Sequence, residues 1–227
     1  MALEEPEAGN PLLFRRFAVI VPLTILTGLI LFLVVRPLLP QDAPLPCPAL
    51  AAARAAMQSM KPFRATFTQQ VYYDEELAIE ESGDLLFVDP NRIRWTYRDP
   101  ELKIFLLEAG RYRFYEPEAG QLTLGTMAGG QGGWIWRLLA STDADVVESC
   151  PPSGKELVLR DPEHGTRFRL RLDSQHRVVR VEHTDSGGAR HIYMLREYLA
   201  RVTVTENDFQ LEIPKDTEVV NMDAESP

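Results

Sequence analysis

A run of nineteen uncharged residues, 17–35, is the strongest hydrophobic signal in the chain. At a rise of about 1.5 Å per residue, a helix of this length spans about 28 Å, which is close to the hydrocarbon thickness of a bilayer. Arg15 and Arg16 precede the run and Arg36 follows it. The pattern predicts an uncleaved transmembrane anchor over 17–36, because the apolar part of a cleaved signal peptide is only about 7 to 15 residues long.

The segments on either side of this anchor are predicted to be simple connections. Residues 1–16 form an N-terminal tail, and residues 37–48 contain five prolines, which favour a stiff, extended spacer. Arg15 and Arg16 favour a cytoplasmic tail, but positive charges on the two sides are nearly balanced and do not decide the orientation by themselves. Cleavage remains an alternative to anchoring. Lipid attachment at Cys47 is disfavoured, because Leu45 and Pro46 fit poorly to the small residues that lipidation needs.

Beyond the spacer, alanine-rich residues 49–60 contain no helix breaker and predict a helix that ends before Pro62. The hydrophobic period then changes to two, which is typical of β-strands. Ile93, Trp95 and Tyr97 give the clearest example, since they alternate with arginine and threonine. Further short strands follow between turns. The last segment, residues 208–214, ends in a turn-like Pro-Lys-Asp sequence.

These elements predict a mainly β (α+β) domain over residues 49–221, followed by a tail at 222–227. About ten or eleven antiparallel strands would form one strongly curved sheet or an unclosed barrel. A curved sheet needs side chains to fill its concave side. We expect the helix at 49–60 and an apolar α-helical lid at 127–140 to supply them, with a glycine-rich hinge at 129–133.

Composition and motifs argue against several classes of function. The net charge of −9 disfavours nucleic acid, which requires a basic face. No nucleophile motif or phosphate loop is present, so we expect neither an enzyme nor a cofactor. His183 and His191 flank a glycine-rich turn, where a surface role is favoured over a metal pair, and no metal site is expected. Glu75, Glu76, Glu80 and Glu81 are interpreted as a solvated hairpin tip.

Two questions stay open on the residues alone. Cys47 and Cys150 either form a disulfide, which would join the start of the domain to its middle, or are unrelated free thiols. The inward aromatic residues either form an ordinary core or line a cavity for an acyl chain beneath the lid. Fold physics by itself favours the core.

Two motifs resemble the outer-membrane lipoprotein carrier family, LolA. Residues 63–71, FRATFTQQV, resemble the F-x-A-x-F-x-Q pattern of its first strand, and residues 83–95, GDLLFVDPNRIRW, resemble its next hairpin. Residues 103–115 look like the following hairpin and 208–214 like the closing strand. The resemblance runs in order over about 49–220, although 144–205 matches only as a strand pattern.

This resemblance implies an unclosed barrel with a helical lid, in a non-catalytic periplasmic carrier that binds lipoprotein acyl chains and transfers them to an outer-membrane receptor. It therefore places the domain in the periplasm, anchored to the inner membrane as a single-pass protein, or soluble there after cleavage. Release machinery at the inner membrane would be a partner. The expected cavity residues are Phe63, Phe67, Phe87, Ile93, Trp95, Tyr97, Phe105, Phe114, Trp134, Trp136, Leu138 and Leu139.

The sequence departs from the family in two ways. Asp89 stands where the family often has a basic residue that latches the lid, so the latch is either absent or rebuilt with Arg137. The anchor is the second departure, since members of the family are usually soluble shuttles. Alternatives to a carrier are therefore a lipid or lipoprotein sensor and a structural module of an inner-membrane assembly complex.

Overall fold

A computed structural model of the chain describes residues 47–126, 146–161 and 164–225. Within these three ranges, no helix is both long enough and apolar enough to cross a membrane. The predicted cytoplasmic tail, the anchor at 17–36, most of the Pro-rich spacer and the lid at 127–140 lie outside the described residues.

The described residues form one helix and one sheet, with two short 3-10 helices near the C-terminus. The helix at 49–60 is confirmed, with Pro48 added at its first position. The helix, α1, is Pro48–Met60. The strands that follow it are β1 Phe63–Tyr73, β2 Glu76–Asp89, β3 Arg92–Asp99, β4 Lys103–Glu108, β5 Arg111–Glu116, β6 Gln121–Thr126, β7 Val147–Ser149, β8 Glu156–Arg160, β9 Arg167–Leu172, β10 Val178–Thr184, β11 Arg190–Ala200 and β12 Glu218–Asn221.

The mainly β class and the single unclosed sheet are confirmed. The sheet contains twelve strands in the order β12-β6-β5-β4-β3-β2-β1-β11-β10-β9-β8-β7, whereas ten or eleven were expected. Neighbouring strands are antiparallel except β12, which pairs with β6 in parallel. The long strands β1, β2 and β11 form the centre, and β12 and β7 are the free edges of the described sheet.

One face of the sheet, called here the inner face, carries the large core. In one row across four strands, Phe63 of β1 lies opposite Phe87 of β2, then Ile93 of β3 and Leu107 of β4. All four side chains are buried. Because side chains alternate between the two faces along a strand, the apolar residues of each strand lie on one face. The pairing register of neighbouring strands then aligns them into continuous apolar rows.

Helix α1 packs against this inner face. Its buried side chains, Ala49, Leu50, Ala53 and Met57, recur at helical spacing and join the same apolar cluster as the strand residues. The helix begins at Pro48, a position where the missing N–H costs no hydrogen bond. The expectation that a helix covers part of the inner face therefore holds for α1.

The opposite, outer face is crossed by the C-terminal segment. Phe209 is buried there against Leu86 and Leu106. The Arg94 guanidinium donates to the Asp208 carbonyl at 2.7 Å, and Arg113 donates to the Phe209 carbonyl at 2.9 Å. Arginine side chains thus satisfy backbone acceptors that strand pairing would otherwise use.

The predicted strand at 208–214 is therefore wrong. Glu206–Phe209 forms a 3-10 helix, and no strand follows it before Glu218–Asn221. That last strand was not predicted. The expected tail beyond 221 begins with the 3-10 helix Met222–Glu225, where the Asp223 carboxylate accepts hydrogen bonds from the Thr126 amide and hydroxyl, each at 2.9 Å.

A disulfide joins Cys47 to Cys150, with a sulfur–sulfur distance of 2.08 Å. Cys47 immediately precedes α1, and its sulfur also accepts a hydrogen bond from the Leu50 amide at 3.4 Å. Cys150 follows β7, which is the edge strand at the opposite end of the sheet from β12. The bond therefore ties the start of the helix to one edge of the sheet.

Gly83 lies in β2 at the point where two aromatic residues meet. It pairs with Phe67 of β1 on one side and with Tyr97 of β3 on the other. The Phe67 and Tyr97 rings contact edge to face with their centroids 5.0 Å apart. A Cβ at Gly83 would lie 1.9 Å from the Thr96 carbonyl oxygen, so any side chain here forces the two strands apart.

Replacement of both cysteines by serine is expected to lower the free energy of unfolding by about 4 kcal/mol, because the oxidised bond closes a loop of about 100 residues in the unfolded chain. Guanidinium denaturation of the oxidised protein and of the Cys47→Ser/Cys150→Ser variant measures the difference. Reduction should destabilise the parent by a similar amount and leave the variant unchanged. Equal midpoints for the variant and the oxidised parent would contradict this role.

The substitution Gly83→Ala is expected to lower the free energy of unfolding by about 3 kcal/mol, because the added carbon overpacks against backbone. The matched control is Gly154→Ala. Gly154 has φ +66 and nothing within 4 Å of a built Cβ, so only backbone strain of about 1–2 kcal/mol applies. Denaturant unfolding compares the two variants, and equal losses would show that the close approach at Gly83 is unimportant.

Candidate functional site

The inner face brings together the aromatic residues predicted to form a ligand site. Phe63 stacks on Phe87 with ring centroids 5.0 Å apart, and Phe67 contacts Trp95 edge to face at 4.7 Å. Six of the predicted residues are buried in one apolar cluster, and two more pack against it half-buried. The buried ones are Phe63, Phe67, Phe87, Ile93, Trp95 and Phe105, and the half-buried ones are Tyr97 and Phe114.

The aromatic surface continues beyond the predicted set toward β5 and β11. Tyr112 stacks on Phe105 at 5.7 Å, and Tyr193 lies 6.0 Å from Trp95 between ring centroids. Neither residue was predicted to belong to the site. Tyr112 could have been found, because register places it beside Leu107 on the inner face. Tyr193 could not, because its pairing with Gln69 joins strands far apart in the chain.

The remaining predicted residues fall elsewhere. Trp134, Trp136, Leu138 and Leu139 lie outside the described residues, as does the latch candidate Arg137. Asp89 is the last residue of β2, and its carboxylate accepts a hydrogen bond from the Asn91 amide in the following turn at 2.8 Å. Its observed contact is therefore local, of the kind that stabilises a turn.

A polar cluster adjoins the aromatic residues on the same face. The Tyr97 hydroxyl donates to Gln69 Oε1 at 3.0 Å, and the Lys103 ammonium donates to the Glu81 carboxylate at 2.8 Å. Gln69 and Glu81 are each only 9% exposed. This corrects the view of Glu81 as part of a solvated hairpin tip: the turn itself is Asp74 and Glu75, while Glu81 points into the sheet's inner face.

The ionisation of this cluster follows from its burial. Burial, with Tyr193 and Glu81 nearby, raises the pKa of the Tyr97 phenol well above its ordinary value, and burial does the same to the pKa of Tyr193. Both phenols therefore stay neutral and keep their hydroxyl protons. The hydrogen bond to Glu81 raises the pKa of Lys103, which keeps the Lys103 ammonium charged.

His183 and His191 face each other across the hairpin of β10 and β11 as cross-strand partners. Their rings are parallel within 2° and their centroids are 4.8 Å apart. Burial, with His191 nearby, lowers the pKa of His183 to about 4. Stacked rings direct their nitrogens side by side instead of toward a common point, which does not suit a metal pair, and no group of three possible ligands occurs in the described ranges.

The inner face thus combines a cluster of buried apolar and aromatic side chains with a few fixed polar groups at one end. Sites of this composition bind ligands through burial of hydrocarbon, while the polar groups orient them. The arrangement is therefore suited to a molecule with a long apolar part and a polar head.

The sequence also matches a family of known proteins. Residues 58–212 match the family described as outer membrane lipoprotein carrier protein LolA. An outer-membrane lipoprotein carrier protein of Aeromonas salmonicida is 22% identical over 75% of this chain and 88% of its own length. One from Alkalilimnicola ehrlichii is 26% identical over 70% and 71%.

Among solved structures, a LolA superfamily protein from Nitrosomonas europaea is similar at a TM-score of 0.47, with 11% identity over 72% of this chain and 96% of that one. The family match covers more than half of the chain, including α1's last residues and most of the sheet. The chain therefore belongs to the LolA family of outer membrane lipoprotein carrier proteins.

Proposed function

We propose that this protein carries the acyl chains of lipoproteins or lipids on the inner face of its sheet, as one step of transport toward the outer membrane. Members of the LolA family are carriers and not enzymes. The observation that carries the proposal is the continuous aromatic surface formed by Phe67, Trp95, Phe105 and Phe114 beside α1.

Physical chemistry supports a carrier of this kind. Transfer of hydrocarbon out of water contributes about 0.8 kcal/mol per buried methylene, so even part of one acyl chain provides useful affinity. Aromatic rings supply a large contact area and lose little side-chain entropy. The aliphatic stretch of a ligand therefore needs no dedicated hydrogen bonds, and the same surface accepts chains that belong to different lipoproteins.

The proposal places the sheet domain in the periplasm, attached to the inner membrane by residues 17–36. A tethered carrier cannot diffuse to the outer membrane, so it would receive its cargo near the release machinery and transfer it locally. The Pro-rich spacer at 37–48 would set its reach. The lid at 127–140 would cover the bound chains, and its opening would allow transfer.

Binding is tested with residues 47–227 and a fluorescent fatty acid that lauric acid displaces. We expect Phe114→Ser, on the inner face, to raise the dissociation constant roughly tenfold, because a half-buried ring contact is lost. Ile104→Ser is the matched control, since Ile104 is also half-buried but packs on the outer face. It should bind as the parent does.

Absence of displacement in the parent, with unchanged tryptophan emission, would contradict the carrier function. Equal weakening by both substitutions would instead indicate a general loss of structure. Unfolding midpoints of the two variants distinguish that case from a specific loss of binding.

The anchor is tested by alkaline extraction of membranes from cells that express the full chain. We expect the full chain to stay in the membrane pellet, because nineteen uncharged residues span the bilayer core. A variant lacking residues 1–36, with a cleavable export signal in their place, should be released. Release of the full chain as a shortened product would show that the segment is cleaved.

A further inference from the structure

Within the part of the chain that the structure describes, the Trp95 indole is a buried donor without an acceptor. The residue is only 6% exposed, and its Nε1 has no hydrogen-bond partner among these residues. Buried polar atoms in folded proteins nearly always have a partner, so an orphaned one in a ligand site requires an explanation. A tryptophan N–H can only donate, and its missing partner must therefore be an acceptor.

Trp95 lies at the border between the apolar part and the polar part of the inner face. On one side, its row across the sheet is apolar, with Leu85 of β2 and Phe105 of β4 as its cross-strand partners. On the other side, its ring contacts Phe67 and Tyr193, and Tyr193 pairs with Gln69 in the polar cluster. The inner face thus changes from hydrocarbon-like to polar at this residue.

The acceptors of the polar cluster each receive a hydrogen bond from within the cluster. Gln69 Oε1 accepts from the Tyr97 hydroxyl, and the Glu81 carboxylate accepts from Lys103. These bonds connect Tyr97 to Gln69 and Lys103 to Glu81 on the inner face, and they hold the cluster together without using the indole. Trp95 Nε1 donates to neither of these acceptors, since it has no hydrogen-bond partner among the described residues.

We propose that Trp95 Nε1 donates a hydrogen bond to the ester or amide carbonyl of a bound acyl group. The acyl chain then lies over the apolar rows, and the polar head lies toward Gln69 and Glu81. This inference rests on the proposed function, and it names the chemical class of the ligand: carbonyl-linked acyl groups are preferred over ether-linked chains of the same length. Trp95 is thus a specificity-determining residue as well as part of the apolar surface.

The test compares methyl laurate with dodecyl methyl ether, which has a similar chain but lacks the carbonyl oxygen. Each ligand competes with a fluorescent fatty acid for the full chain held in amphipol. We expect the parent to prefer the ester roughly three- to tenfold, as one hydrogen bond allows. The Trp95→Phe variant keeps an aromatic ring but has no donor, so its ester-to-ether preference should disappear.

Phe105→Leu is the matched control, because it changes an inner-face ring that carries no donor. It should weaken both ligands and leave the ester-to-ether ratio as in the parent. Ratios are compared across variants in the same amphipol, so partition of each ligand into the amphipol cancels.

A second measurement does not depend on the variant's folding. The protein contains three tryptophans, and their indole N–H resonances are observed in the nitrogen-15-labelled parent. We expect one of them to move downfield with the ester and not with the ether. Equal affinity of the parent for both ligands, or a preference retained in Trp95→Phe, would overturn the inference and leave the carrier function intact. Failure of both ligands to bind would instead count against the carrier function itself.

Discussion

The inner face of the sheet is apolar along successive rows of side chains. The rest of the structure depends on the need to keep this face out of water. An unclosed sheet cannot bury this face against itself, so another element must cover it. Helix α1 covers part of it with Leu50 and Met57, and the Cys47–Cys150 disulfide ties the start of that helix to the edge of the sheet. Under the proposed function, the cargo lies on the part of this face that α1 does not cover.

The polar cluster on this face consists of hydrogen-bonded pairs. Glu81 would be costly to bury alone, but Lys103 pairs with it and keeps the charge balanced. Tyr97 and Gln69 satisfy each other in the same way. Trp95 Nε1 differs from these groups because it has no hydrogen-bond partner among the described residues, and the proposed contact with an acyl carbonyl would supply one.

The outer face is organised by a different interaction. Arginines on alternating positions of the strands hold the C-terminal segment through its carbonyl groups and carboxylates, as Arg94 and Arg64 do at Asp208. Phe209 then fills a small second core beneath it. The alternation that directs aromatic residues inward thus also directs arginines outward, so that one pattern forms both the inner apolar core and the attachment of the chain's end.

The sequence by itself determined the class of the fold, helix α1, nearly all strands and the inward aromatic residues, because period-two alternation and turn residues act locally. It also carried the family motifs around Phe63 and Trp95. Only the tertiary structure decided how distant strands pair, and that pairing buries Glu81 and brings Tyr193 to Trp95. It also decided that residues 208–214 lie across the outer face, since long-range arginine contacts there outweigh the local preference for a strand.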